Sequence, residues 1–248
     1  MRAYCGHSWL PRLEYARYKG RFAGLIKGRF SVGDFETERN AMVDGQVRTS
    51  DVTDRRLQAA LLAVPREKFM PRSKAALAYA DSEVEVGEGR WLMRPRDFAK
   101  LVQAAEIKAG DIILDIGIGR GYSSAVLSRM GETVVGVESD GALVKRAERS
   151  LSETESDNAV VLKNDLKVGA PDQGPFDVIF VNGGVEEVSR SWFDQLADGG
   201  RLAVIVRKGP VGKAMIYTKS GAGVGERTIF DATPHRLPEL NREPGFVF

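Results

Sequence analysis

The chain is poor in the side chains that most hydrolytic and redox sites are built from. It has one cysteine, Cys5, and two histidines, His7 and His235, among 248 residues. A lone cysteine closes no internal disulfide. So few thiols and imidazoles also exclude a zinc site of the Cys/His type and a Ser/His or Cys/His nucleophile system. No metal is expected, and any chemistry must run on carboxylates, amides, hydroxyls or a borrowed cofactor. Aromatic residues make up only 8% of the chain. No window approaches the roughly 18 unbroken apolar residues of a membrane span, and the start lacks an apolar segment followed by a small-residue cleavage site. The expected protein is cytosolic and has no membrane partner.

A dominant charge is lacking too, with 36 basic residues against 34 acidic ones, but the balance hides a polarity along the chain. Residues 1–33 carry seven Lys or Arg and one acid, Glu14, leaving 29 basic against 33 acidic residues in the rest. Such an arm is read as a disordered extension or an over-extended start, with Val32 as the alternative first residue, and no nucleic-acid partner is expected from it. The remainder, in a chain that is 43% apolar, has mass enough for a sizeable core.

From residue 34 the pattern predicts one continuous fold. Residues 34–95 form an accessory portion that opens with a helix capped by Asp54, with Leu57, Ala60, Leu61 and Val64 at helical spacing and Pro65 ending it. A Pro-flanked stretch, 71–95, reads as loop and short strand, with Glu83-Val84-Glu85-Val86 alternating. Residues 96–248 then become rhythmic. A helix carries Phe98, Leu101, Val102 and Ala105, and strands follow at 112–114, 134–137, 160–162, 178–181 and 202–206. Helical runs begin near Tyr122, Gly141 and Val188. Short Val/Ile-rich strands alternating with helices imply an α/β fold, a doubly wound, mostly parallel Rossmann-like sheet. Lys213 to Phe230 reads as two more strands, an antiparallel pair at the sheet edge.

The most informative segment is Ile112-Ile113-Leu114-Asp115-Ile116-Gly117-Ile118-Gly119-Arg120-Gly121-Tyr122, an apolar strand running into Gly-x-Gly-x-Gly and a helix. Glycines allow a tight turn and a close backbone approach to a ligand, and the helix start offers free N–H groups. The third glycine comes one residue too early for a dinucleotide fingerprint. Asp115, two residues before the first glycine, would repel a pyrophosphate and suits the ammonium group of S-adenosyl-L-methionine. Glu138, 21 residues after Gly117 and at the end of the next strand, stands where a ribose-diol acceptor belongs. Asp165, after the third strand, is a candidate acceptor for an adenine amino group. Each of these residues alone reads as a tight turn or a solvated strand end; in register they point to cofactor binding.

Over nearly all of residues 38–248 the sequence resembles the protein-L-isoaspartate O-methyltransferases. Leu114 to Tyr122 is similar to their first cofactor motif, which many class I methyltransferases share. More specific are Met42-Val43 with Gln46 and Arg48, then Val64-Pro65-Arg66-Glu67-Lys68-Phe69-Met70-Pro71 and Ala78-Tyr79-Ala80-Asp81. Pro175 to Val181 and Gln195 to Leu202 match later motifs. The resemblance implies a methyltransferase using S-adenosyl-L-methionine, acting on a protein or peptide carboxylate, and working as a monomer.

One loop departs from that pattern. The family carries Gly-x-Gly-Gln-Thr-Ile-Ser-x-Pro, whose Thr and Ser help hold the substrate carboxylate. This chain has Gly87-Glu88-Gly89-Arg90-Trp91-Leu92-Met93-Arg94-Pro95. Trp91 stands in the threonine slot and Met93 in the serine slot. Arg90 and Arg94, with Met93 in the serine slot, become the candidate substrate-binding residues, the two arginines because guanidinium pairs bidentately with carboxylate. Two other readings stay open at this point: a methyltransferase acting on a different anionic acceptor, and a non-catalytic protein that binds S-adenosyl-L-methionine.

Overall fold

In the computed structural model, residues 34–241 are described; the basic arm, with the alternative start at Val32, lies outside them. An initial helix, α1 (Phe35–Met42), widens into a π-helical turn over Val43–Val47 and then tightens into a 3-10 turn over Arg48–Ser50. Helix α2 (Arg55–Ala63) begins at Asp54, whose carboxylate accepts from the backbone N–H groups of Arg56 and Leu57, as its position before the apolar repeat requires. Two strands form an antiparallel hairpin, β1 (Val84–Gly87) and β2 (Arg90–Leu92). Helix α3 (Pro95–Ala104) starts with proline at its first turn, where a missing N–H costs nothing, and with Asp97 beside the positive end of the helix.

The body alternates from there: β3 (Ile112–Ile116), α4 (Tyr122–Leu127), β4 (Thr133–Glu138), α5 (Gly141–Glu153), β5 (Ala159–Lys163), β6 (Phe176–Val185), α6 (Arg190–Asp194), β7 (Leu196–Val206), β8 (Gly212–Ser220) and β9 (Gly223–Ala232). The large sheet runs in the order β5-β4-β3-β6-β7-β8-β9. Strands β3 to β7 are mutually parallel, and β8 and β9 add an antiparallel edge. This is the α/β class that the alternating sequence implied.

The side-chain period of two sorts each central strand between two cores. Ile113, Val178, Phe180, Ala203 and Ile205 face one side, with Met42, Leu57, Leu61, Phe69, Phe98 and Tyr122 packed over them. Leu114, Ile116, Ile179, Val181, Leu202 and Val204 face the other, under Leu166, Trp192, Leu196, Leu237 and Leu240. The accessory portion therefore shares one apolar cluster with the sheet. Fully burying each such Leu, Ile or Phe contributes about 1.5–3 kcal/mol.

Five elements differ from the sequence expectation. The chain enters this core through α1, before the helix capped by Asp54. Phe-Glu-Thr-Glu-Arg-Asn-Ala-Met buries only Met42, so no apolar repeat announces that helix. Residues 90–92 form a strand, paired across the tight turn at Gly89, whose φ of 65° suits glycine. Strand β6 extends past its apolar core to Val185 through a register shift between Phe180 and Gly184, and β7 begins early, at Leu196, through a shift between Phe176 and Val178. The helix expected near Val188 shrinks to Arg190–Asp194, because the extended chain persists through Val185.

Candidate active site

The sheet order places β3 beside β6, while the chain leaves β3 toward β4 on one side and returns through β6 on the other. Open α/β sheets bind ligands at such a reversal, beyond the carboxyl ends of the strands. Gly117, Gly119 and Gly121 form the turn that leaves β3 there, with φ of 73°, 57° and 91°, in the left-handed region that favours glycine. Gly121 is the residue before α4. The turn expected from the Gly-x-Gly-x-Gly spacing is formed.

Asp115 is completely buried beneath this turn. One of its carboxylate oxygens accepts from the Ser123 and Ser124 hydroxyls at 2.7 Å each, and the other from Asn182 Nδ2 at 2.5 Å. Burial pushes its pKa up to about 6, against the lowering effect of those three hydrogen bonds. Asp115 thus clamps the start of α4 and the end of β6 onto β3. The sequence expectation turned this carboxylate toward a ligand; the structure turns it toward the protein. Asp165 is exposed and accepts from the Lys167 N–H at 2.7 Å, closing a turn after β5.

Glu138 ends β4 fully buried. Its carboxylate accepts from the backbone N–H groups of Gly119 at 2.9 Å, Ser139 at 2.8 Å and Asp140 at 3.2 Å. The Gly119 bond joins the glycine turn to the acid expected to hold the ribose. Arg90 also reaches Glu138. Its Nε lies 2.9 Å from Oε2 and its Nη2 2.8 Å from Oε1, a two-pronged ion pair with both side chains at 3% exposure or less. The same guanidinium donates to Glu239 at 2.7 and 3.1 Å and to Ser139 Oγ at 3.0 Å. Burial would lower the Arg90 pKa, but the hydrogen bonds and charges of Glu239 and Glu138 outweigh it and raise it, so the group is a permanent cation.

Arg90 and Arg94, expected together as acceptor contacts, are in different situations. Arg90 is committed to two carboxylates. Arg94 is exposed at the start of α3; its carbonyl accepts from the Phe98 N–H at 3.0 Å, while its side chain makes no hydrogen bond or ion pair among the described residues. Met93 is buried, and its carbonyl accepts from the buried Arg66 Nη2 at 2.6 Å. Trp91, in the threonine slot, stacks flat on His235 at 3.7 Å between ring centroids.

His235 belongs to a segment that the sequence did not single out. Residues 233–241 form a strap over the carboxyl ends of the strands. Gly184 donates to the His235 carbonyl at 2.8 Å and accepts from the Leu237 N–H at 2.9 Å. Glu83 accepts from the His235 N–H at 3.0 Å and pairs with its ring Nδ1 at 2.7 Å, and Arg236 pairs with Glu186. A Cβ placed on Gly117 or on Gly183 would stand only 3.1 Å from the Leu237 side chain, so Leu237 sits in the crevice between β3 and β6. The cavity left among Arg90, Trp91, Met93, Gly117, Gly119 and Asn182 is about 10 Å³, room for about one water. Among the described residues no group of His, Cys, Asp or Glu is arranged to hold a metal.

The donors fit the expected cofactor: a glycine turn at a helix start and a buried carboxylate at the next strand end, 19 residues apart. Comparison with known proteins points the same way. Residues 37–231 match the family model described as Protein-L-isoaspartate(D-aspartate) O-methyltransferase. A protein-L-isoaspartate O-methyltransferase from Gloeobacter violaceus is 37% identical over 203 residues, covering 82% of this chain and 98% of the relative. A protein-L-isoaspartate O-methyltransferase 2 from Anaeromyxobacter sp. is 34% identical over 210 residues, 84% of each chain. A solved protein-L-isoaspartate O-methyltransferase superposes with a TM-score of 0.70 at 26% identity, over 84% of this chain and 67% of the other. The Plasmodium falciparum structure described as a complex with S-adenosyl-L-homocysteine shares the fold, with a TM-score of 0.70 at 21% identity over 82% of this chain and 98% of the other. With the family model matching residues 37–231, nearly the whole described length, and relatives 34–37% identical over more than four fifths of the chain, the chain belongs to the protein-L-isoaspartate(D-aspartate) O-methyltransferase family.

Proposed function

We propose that this protein transfers a methyl group from S-adenosyl-L-methionine, the cofactor of its family, to a carboxylate of a protein or peptide. The observation that carries the reading is the Gly119–Glu138 hydrogen bond, which couples the glycine turn to the ribose-acceptor carboxylate within a chain that matches the family over residues 37–231. The bound cofactor supplies a methyl group on a positively charged sulfur. Glu138 would hold the ribose diol, the turn at Gly117 and Gly119 would let the backbone approach the ligand, and exposed Asp165 would accept from the adenine amino group. Asp115 positions the start of α4 through Ser123 and Ser124. A carboxylate acceptor is already ionised at neutral pH, so no general base is required. The protein's work is alignment and exclusion of water, to which the hairpin β1–β2 contributes by lying beside the glycine turn.

The acceptor contact falls to a different set of groups from the family's hydroxyls. Trp91 and Met93 carry no hydroxyl, and Arg94 is the exposed guanidinium next to them. The same reading takes the protein as cytosolic, in keeping with a single cysteine that closes no internal disulfide, and as a monomer. Incubation with radiolabelled S-adenosyl-L-methionine and an isoaspartyl peptide tests the function. Base-labile methyl ester should form on the peptide and not on its normal aspartyl counterpart. Arg94→Ala should raise KM for the peptide about tenfold, the loss of one charge-assisted contact. Ester formation absent from isoaspartyl peptides but present on another carboxylate would move the acceptor assignment.

A further inference from the structure

The ribose-acceptor carboxylate and the glycine turn are both covered by side chains of the protein itself. A carboxylate has about four lone-pair positions. Glu138 already accepts from three backbone N–H groups and from Nε and Nη2 of Arg90. A ribose diol can pair with it only if Arg90 withdraws, since the backbone donors are fixed by the fold. Leu237 occupies the crevice against Gly117 and Gly183, and the remaining cavity of about 10 Å³ is far below the few hundred that a ligand of this size needs. The two covering residues are mechanically joined. Arg90 on β2 holds Glu239, and Leu237 stands two residues before Glu239 on the strap, whose His235 stacks on Trp91, the neighbour of Arg90.

We propose, resting on the assignment of S-adenosyl-L-methionine as cofactor, that Arg90 and the strap 233–241 form an internal latch on the cofactor cleft. Arg90 takes the place of the ribose at Glu138, Leu237 fills the crevice over the glycine turn, and cofactor binds only to the unlatched chain. Apparent affinity is then the intrinsic affinity multiplied by the unlatched fraction. Weakening the latch without touching Glu138 should tighten binding, the opposite of what loss of a binding residue does. The Gln that the family pattern carries in the slot of Arg90 makes Arg90→Gln the natural variant, and Glu239→Gln loosens the strap from its half-exposed side.

Calorimetric titration of the full chain with S-adenosyl-L-homocysteine reads this directly. Arg90→Gln should bind at least tenfold tighter than the wild type, and Glu239→Gln several-fold tighter. Should Arg90→Gln fail to fold, Glu239→Gln alone decides, because it leaves the buried Arg90–Glu138 pair in place. Ligand binding to the wild type should also free Trp91 from His235 and raise its fluorescence, with a Trp91→Phe control that loses the signal. Equal or weaker binding by the variants overturns the latch and leaves the cofactor assignment standing, as does saturation of the wild type without a Trp91 response. Absence of binding by the wild type and both variants overturns the latch and the cofactor assignment together.

Discussion

The two halves of the site are built on different scales of the chain. The cradle, β3 with its glycine turn, α4 and β4, closes on itself: Asp115 bonds to Ser123 and Ser124, eight and nine residues away, and Glu138 to Gly119, 19 away. The cover, hairpin β1–β2 with the strap, is held by contacts across 48, 149 and 152 residues: Arg90 to Glu138, Arg90 to Glu239, and Glu83 to His235. Local closure makes the cradle a unit that the strand–turn–helix sequence specifies by itself. The cover exists only as a product of the finished fold, and the family's substrate hydroxyls have been replaced there. The two halves meet at the buried Arg90–Glu138 ion pair, with the Arg120 Nε bond to the Val86 carbonyl and the packing of Leu237 on Gly117 beside it.

Breaking that pair should give the largest effect. Glu138→Ala strands the Arg90 guanidinium in a buried position with Glu239 as its remaining acid, and should cost about 3–5 kcal/mol of stability, measured by chemical denaturation. A loss below about 1 kcal/mol would show that Glu239 carries Arg90 unaided and that the cover is independent of the cradle.

A second effect lies wholly within the cradle and depends on pH. The Asp115 pKa rises to about 6 in the fold, from about 3.8, because burial disfavours its charge. The folded state therefore binds more protons than the unfolded state between about pH 4 and 6, and the contribution of Asp115 to stability falls as pH rises through that window. The full difference is about 3 kcal/mol for a shift of about two units. Asp115→Asn keeps the shape and the partners but cannot ionise, so its denaturation midpoint relative to wild type should improve from pH 4 to pH 6.5. A difference that stays flat with pH would mean that Asp115 titrates near its ordinary value.

Gly121→Ala should cost about 1–3 kcal/mol. The backbone there has φ of 91°, and the new Cβ would stand 3.3 Å from the Ala147 Cβ on α5. Thermal unfolding would detect this, and an unchanged midpoint would show that the turn relaxes. The smallest effect belongs to Asp165→Ala. Losing one exposed bond to the Lys167 N–H should change stability by about 0.5–1 kcal/mol, while S-adenosyl-L-homocysteine affinity in calorimetry falls several-fold. Unaltered affinity would remove Asp165 from the cofactor set.

What the sequence determined by itself is whatever depends on neighbours in the chain. The Val/Ile-rich strands announce the parallel sheet because both its faces are buried, so most residues along a strand must be apolar. Gly117, Gly119 and Gly121 announce the turn because a positive φ admits few other residues, and Asp54 announces α2 because a cap bonds two and three residues ahead. Even Glu138 follows from the near-constant length of a strand–helix–strand unit. Tertiary structure alone decided which way the charged side chains turn. Asp115 is drawn inward by Asn182 from a strand 67 residues on. Arg90 is drawn onto Glu138 and Glu239, since a guanidinium excluded from water must find carboxylates wherever the fold brings them. Leu237 reaches Gly117 from 120 residues away, and no periodicity marks it. Long-range pairing carries no local signature, and in this protein it holds the hairpin and the strap over the carboxyl ends of the strands.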